Sequence, residues 1–242
     1  MLYIVGNGPS RKQYDLDSFE EWWGCNAIYR DSTPDILFVH DIPVQHQAVV
    51  DGCLERGKVA VGDWNHMEID LWDGLKMGYP NAIHNRTEDD THFVVQGEGY
   101  DVYFTSYNIP LGDNIIMYNY DKLKNTFCGI SALGYAAYNG YKEITLVGFD
   151  ALDPEFDSVG NVYEGTEFYR TKYNADDTVN YIQKMQFVSL LEDPLFDDIK
   201  VYFKNPIDDN EEVIYNELYY YENSKNKWSL GVSSLHDFNK ML

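Results

Sequence analysis

Four apolar residues, Leu2-Tyr3-Ile4-Val5, run straight into Gly6-Asn7-Gly8-Pro9-Ser10. The first group has the make-up of a buried strand, and the strand must stop at Gly6. Gly6 and Gly8 lack a Cβ, so the backbone there turns tightly and lets another group come close. Pro9 suits the first turn of a helix, and Ser10 stands polar at its mouth. In open α/β sheets a strand ending in such a turn is a place where nucleotides bind. The third glycine of the dinucleotide fingerprint is missing, so the turn is not that motif.

The rest of the chain alternates strand-like and helix-like segments, which predicts an α/β fold: a Rossmann-like, mainly parallel sheet flanked by helices. After a short helix or irregular crossover over Asp15 to Trp23, a second strand ends at Gly24-Cys25-Asn26-Ala27. Ile36 to Val39 reads as a third strand ending at His40-Asp41, followed by helix from about Val44 to Glu55 and strand from Lys58 to Val61. Residues 63–90 keep no period and read as an insertion or loop. Thr91 to Val95 and Asp101 to Phe104 fit a hairpin. Ile130, Leu133, Gly134, Ala137 and Tyr138 fall at helical spacing, and Asn139-Gly140 supplies a C-terminal stop. Ile144 to Val147 is then a strand closing at Gly148-Phe149-Asp150.

Residues 151–175 lose the pattern and gather tyrosines, which predicts a lid segment. A helix starting at Asp176-Asp177 would bury Tyr181, Ile182, Met185 and Val188, and Lys200 to Phe203 is a late strand. The tail, with Tyr219-Tyr220-Tyr221, reads as an edge strand or an interface. Residues 1–150 and 176–242 thus form one nucleotide-binding domain, with 151–175 as its lid.

Bulk properties exclude several classes. The net charge is −22, from 40 acidic and 18 dispersed basic residues, which argues against a nucleic-acid surface. An acidic chain still binds phosphate where main-chain amides and a helix N-terminus do the holding. No stretch has the roughly 18 apolar residues of a membrane span. With no signal peptide, and with Cys25, Cys53 and Cys128 scattered and odd in number, a cytoplasmic location is expected. No metal-ligand spacing stands out. His40, Asp41 and His46 lie near one another in sequence, but without a fixed helix they read as incidental.

Taken together, these residues resemble a known pattern. Strand-Gly-Asn-Gly-Pro-Ser, Cys-Asn after the second strand, and Gly140-Tyr141-Lys142-Glu143-Ile144-x-Leu146-x-Gly148-x-Asp150 after a small-residue helix are similar to the bacterial sialyltransferases of glycosyltransferase family 42. They also resemble related domains of the pterin diphosphokinase-like group. The resemblance covers Leu2 to Asn26 and Asn125 to Asp150 and leaves the middle unmatched.

The resemblance implies a Rossmann-like domain with a small lid and a CMP-sugar donor as substrate, with no further cofactor. It implies that Asn7 and Asn26 face the donor, with Gly6, Gly8, Ser10 and Asp150 around them. His40 or Asp41 would stand where the family has a polar residue ending its third strand. The family's Thr-Ser-Gly at the small-residue helix is Phe127-Cys128-Gly129 here. A thiol is a weaker donor than a hydroxyl, which leaves the Gly129 backbone for that contact. The family's lid histidine aligns with Tyr173, and no histidine lies between His92 and His236. Tyr163 and Tyr169 stand in for the two lid tyrosines that hold the leaving phosphate.

Metal-free glycosyl transfer needs a fixed nucleotide, donors for the departing phosphate, and a base for the acceptor hydroxyl. Lid tyrosines, Arg170 or Lys172 suit the second task; Asp176, Asp177 or a distant histidine suit the third. Each residue also has a plain structural use. Asn7 can satisfy its own turn, and Asp150 can cap a helix or anchor a loop. The expected function is therefore a glycosyltransferase acting on a nucleotide-sugar and an unknown acceptor. The alternatives are a non-catalytic nucleotide- or partner-binding protein and a pterin or nucleotide phosphotransferase. Whether the chain forms a homo-oligomer stays open.

Overall fold

The computed structural model describes residues 1–98, 100–108, 112–118, 123, 126–152, 160–166, 169, 177–203, 219–224 and 227–230. Its strands in chain order are β1 (Leu2–Val5), β2 (Trp22–Cys25), β3 (Ile36–Val39), β4 (Lys58–Val61), β5 (Ile83–Arg86), β6 (His92–Gly97), β7 (Tyr100–Thr105), β8 (Ile115–Met117), β9 (Glu143–Val147), β10 (Lys200–Phe203), β11 (Tyr219–Ser224) and β12 (Lys227–Leu230). The α-helices are α1 (Ile42–Val50), α2 (Cys53–Arg56), α3 (Trp72–Gly78), α4 (Cys128–Tyr138) and α5 (Asp177–Leu191).

Among the described residues the main sheet has nine strands in the order β12-β11-β10-β9-β1-β2-β3-β4-β8. From β10 to β8 every neighbouring pair is parallel; β11 and β12 are added antiparallel at one edge. The α/β, mainly parallel architecture is therefore as the alternating pattern predicts. The period-2 alternation of a strand splits its side chains between two cores. Leu2 and Ile4 of β1, Phe38 of β3, Ala60 of β4 and Ile144 and Leu146 of β9 join Leu133, Ala136 and Leu190 of α4 and α5. Val5, Leu37, Val39, Val59, Val61 and Val147 face the other way, against Val44 and Ala48 of α1 and Ile28. The central strands β1, β2 and β3 carry no charged residue because both faces of the sheet are covered there.

Several segments differ from the sequence expectation. The crossover expected over Asp15 to Trp23 is irregular, with a 3-10 turn at Leu16–Ser18 after another at Pro9–Gln13, and it is shorter than expected because β2 begins already at Trp22. The helix expected over 44–55 is two, because Gly52 takes φ +77° between α1 and α2. Residues 63–90 are not plain loop: they hold α3 and β5, and β5-β6-β7 form a small antiparallel sheet. Its core is Met67, Trp72, Phe93 and Val95, and it packs on α1 through β7. Among the described side chains of α5, Phe187, Leu190 and Leu191 are buried, while Ile182 and Met185 are exposed; the side chain of Tyr181 lies outside the described residues. The helix packs on the 3-10 turn Asp150–Leu152, on α4 and on the 3-10 turn Pro194–Phe196. Tyr138 of α4 is exposed too, whereas Ser131 and Ala132 are buried, because α4 is covered by the sheet on one side and α5 on the other. Among the described residues no helix is long and apolar enough to cross a membrane.

The strand order sets the site. From β1 the chain moves outward through β2, β3, β4 and β8, then α4 carries it back to β9 on the opposite side of β1. The direction of winding reverses between β1 and β9, which opens a crevice beyond their C-terminal ends.

Candidate functional site

A cavity of about 300 Å³ occupies that crevice, at the lower end of the ~300–1,000 Å³ common for small-molecule sites. Its walls are the tips of β1 (Gly6, Asn7, Gly8), β2 (Cys25, Asn26), β3 (His40, Asp41) and β9 (Gly148, Phe149, Asp150), together with the first turn of α4. Thr126, Phe127, Ala151, Leu152, Gly160, Asn161, Tyr169 and, from α5, Gln183 complete the lining.

The first glycine turn is spent on β9. Gly6 N–H donates to Val147 O at 2.8 Å and Gly8 N–H to Gly148 O at 2.9 Å. A Cβ on Gly6 would lie 2.5 Å from Gly148 O, and one on Gly8 would lie 2.4 Å from Asp150 Oδ2. The close approach these glycines permit is thus between two strand tips of the protein itself. Ser10 N–H, at the mouth of the following 3-10 turn, donates to Asp150 Oδ2 at 2.9 Å. A carboxylate stands where an anion would sit on that turn, and Ser10 is not part of the cavity wall. The expected cradle of exposed amides at this turn is therefore replaced by a β1–β9 clasp.

Asparagines tie the other tips together. Asn7 Nδ2 donates to Cys25 O at 3.0 Å, while Asn7 Oδ1 is buried and has no partner among the described residues. Asn26 holds φ +50°, the left-handed region that asparagine tolerates better than most residues. From there its Oδ1 accepts His40 N–H at 3.0 Å and its Nδ2 donates to Asp41 Oδ2 at 2.8 Å. Such backbone strain concentrates at functional sites.

His40 is locked. Its Nδ1 lies 2.9 Å from Thr126 O, which only accepts, so Nδ1 carries the proton. Its Nε2 then accepts from Tyr118 OH. Burial holds the imidazole below its ordinary pKa, partly offset by the Thr126 bond, so the neutral ring is favoured. Asp41 is the N-cap of α1, yet its side chain makes no capping bond. It is exposed to solvent, while the protein packed around it raises its carboxyl above the usual value.

The N-terminus of α4 faces the cavity through Cys128, Gly129 and Ile130. Its positive end favours negative charge. Gln186 of α5 accepts Phe127 N–H at 2.9 Å, which fixes the two helices at this point. The Cys128 thiol is turned onto Phe38 O at 2.9 Å, and burial and the neighbouring Cys25 push its pKa up. It offers its proton to the sheet instead of to the cavity.

The two tyrosines expected to hold the leaving phosphate, Tyr163 and Tyr169, part company. Tyr169 lines the cavity, and its buried hydroxyl has no hydrogen-bond partner among the described residues. Burial, and then the nearby Asp41 charge, raise its pKa, so it is a donor and not a base. Tyr163 lies outside the cavity wall. Its hydroxyl donates to Asp31 Oδ2 at 2.7 Å and accepts from Arg11 Nη2 at 2.7 Å, and Arg11 pairs with the same Asp31 oxygen at 2.5 Å. Arg11 is buried and needs this acidic partner, which captures Tyr163 as well. Tyr173 and Asp176 lie outside the described residues, as do Arg170 and Lys172.

Of the sequence candidates, Gly6, Asn7, Gly8, Asn26, Cys128, Gly129, Asp150 and Tyr169 thus meet at one cavity, and Ser10 and Tyr163 do not. Gln183 and Asn161 also line it and carry no signal in the sequence. Among the described residues its wall contains no lysine or arginine, and no cluster of three or more ligating side chains suits a metal ion.

No known protein family matches the chain, and no curated protein does. Solved structures do. The monofunctional α-2,3-sialyltransferase Cst-I of Campylobacter jejuni is 15% identical, with 100% of this chain and 87% of that chain covered and a TM-score of 0.47. The sialyltransferase CstII of Campylobacter jejuni, in complex with the substrate analogue cytidine-5'-monophosphate, is 14% identical over 99% of this chain and 97% of that chain, with a TM-score of 0.38.

Proposed function

We propose that the cavity between β1 and β9 binds a nucleotide-sugar, of the CMP-linked type, and that the protein transfers the sugar to an acceptor. The observation that carries this reading is the buried Asn7 Oδ1, without a partner among the described residues, in the wall of a switch-point cavity. An acceptor left without a donor in a buried place costs about 1–3 kcal/mol, which a ligand N–H or O–H would recover. The wall is rich in further acceptors, namely the carboxylates of Asp41 and Asp150. A ligand that fits must bring many hydroxyl and amino donors, as a ribose, a cytosine and a sugar do. Two carboxylates, and no cation among the described lining residues, disfavour a doubly charged diphosphate. One phosphate diester charge facing the α4 N-terminus is the better match. The sequence pattern around Asn7, Asn26 and Asp150 points to the same donor class.

In this reading Asn7 orients the nucleoside, Tyr169 donates to the departing phosphate, and residues 151–175 act as the lid. Calorimetric titration with CMP-, UDP- and GDP-linked sugars tests it. The CMP compound is expected to bind best, and Asn7→Ala to weaken it about tenfold, the ~1.4 kcal/mol of one hydrogen bond. Absence of binding by all three compounds would overturn the proposal. A non-catalytic binding protein is the second reading, favoured by the clasp that spends the amides of Gly6, Gly8 and Ser10 inside the protein.

A further inference from the structure

Transfer to a hydroxyl acceptor needs a base, and the described cavity wall contains several groups that could serve as one. Their geometry separates them. His40 has both ring nitrogens engaged, one donating to Thr126 O and the other accepting from Tyr118, so it has no lone pair for an acceptor hydroxyl. Asp150 is 3% exposed, lies beneath the first turn and accepts Ser10 N–H. Tyr163 is held outside the cavity by Arg11 and Asp31. Cys128 directs its thiol to Phe38 O.

Asp41 differs from all of these. It begins α1 as an N-cap but leaves that helix's amides alone, although aspartate at this position ordinarily binds them. Its side chain is instead drawn toward the cavity by Asn26, whose amide donates to Oδ2 at 2.8 Å. Among the described residues Asn26 is its one hydrogen-bond partner, which leaves Oδ1 available. Asn26 in turn is held in the left-handed conformation and anchored on His40 N–H, so Asp41 is aimed by a strained, well-tied residue. It lines the cavity and is exposed to solvent, so an acceptor hydroxyl can reach it and a proton can leave from it.

We propose that Asp41 is the general base of the transfer reaction. This rests on the nucleotide-sugar reading above. Oδ1 takes the proton of the acceptor hydroxyl as that oxygen forms its bond to the anomeric carbon of the donor. The bond from that carbon to the phosphate oxygen breaks, and CMP leaves with the electron pair. Asp41, now neutral, returns its proton to solvent. The charge on Asp41 is set among Tyr169 from the lid, Cys128 from α4, Cys25 and Asn26 from the β2 tip, and His40 with Asp63 behind it at the β3 and β4 tips. Crowding by these elements raises its carboxyl, which moves a base nearer to working pH.

The test compares wild type with Asp41→Asn, which keeps an oxygen for Asn26. CMP release from a CMP-linked sialic acid, with water as acceptor, is followed across pH, and donor affinity is measured by calorimetry. The expected result is donor affinity within about twofold of wild type, CMP release reduced about 100-fold or more, and loss of the acidic limb of the wild-type pH profile. Asp41→Asn releasing CMP within about threefold of wild type overturns the assignment. So does a wild type that binds the donor and releases no CMP, and so does a variant whose loss lies wholly in affinity. A wild type that binds no CMP-linked sugar overturns this assignment and the proposed function together.

Discussion

Replacing His46 with phenylalanine should remove a large share of the protein's sensitivity to mild acid. His46 lies on α1, fully buried where the small sheet packs, with its ring edge-on to Trp64 at 4.6 Å and 5.8 Å from the ring of His92. Neither ring nitrogen has a hydrogen-bond partner among the described residues. Burial, and then the neighbouring His92, lower its pKa from 6.5 to about 3. The folded protein therefore keeps it neutral at pH values where the unfolded chain would protonate it. Because the folded value is the lower one, the unfolded state binds more protons between pH 3 and 6.5, and stability falls as pH falls through that window. At pH 5 the unfolded state gains a factor of about 30, or ~2 kcal/mol, relative to pH 8. Phenylalanine keeps the aromatic contact with Trp64 and cannot titrate. Urea unfolding of both proteins at pH 8 and pH 5 gives the comparison, with carboxylates common to both cancelling in the difference. The stability difference between variant and wild type should shift by ~2 kcal/mol in the variant's favour between the two pH values. A difference constant to within about 0.5 kcal/mol would refute the reasoning, since His46 would then have the same pKa folded and unfolded.

Gly6→Ala should destabilise the protein by about 1–3 kcal/mol, because its Cβ would meet Gly148 O at 2.5 Å and that oxygen belongs to a strand tip that has to move. A lowered melting temperature checks this, and an unchanged one would show that the clasp yields freely. Arg11→Met should cost about 2 kcal/mol in urea unfolding, below the 3–5 kcal/mol of a wholly buried pair because Asp31 is half exposed. Tyr163→Phe should cost less, about 1 kcal/mol, since the ion pair survives without the hydroxyl. A larger loss from Tyr163→Phe than from Arg11→Met would contradict this order.

Much of the architecture is legible in the sequence, since apolar runs ending in glycine mark β1 and β9, and the small-residue stretch before Gly140 marks α4. The short segments were not. Residues 63–90 show no period, because α3 is only two turns long and β5 has one covered neighbour, so neither builds an apolar stripe long enough to read. The exposure of Ile182 and Met185 is equally invisible in α5, because which side of a helix is buried depends on where its partners end. At the site, glycines and asparagines at strand tips signal a place for chemistry. His40 and Asp41 signal only that a polar residue ends β3.

By itself the sequence determines that a buried strand meets a tight turn, that several such strands lie parallel, and that their tips carry amides and acids. Local covalent structure and apolar patterning suffice for this. The tertiary structure alone decides which tip groups bind one another and which remain for a ligand. Ser10 N–H finds the Asp150 carboxylate across 140 residues of chain, Tyr163 is taken by Arg11 across 152, and Asp41 is turned from its own helix by Asn26. Hydrogen bonds satisfy buried polar groups with whatever partner the packing brings near, and strand order, not neighbouring residues, brings these partners together.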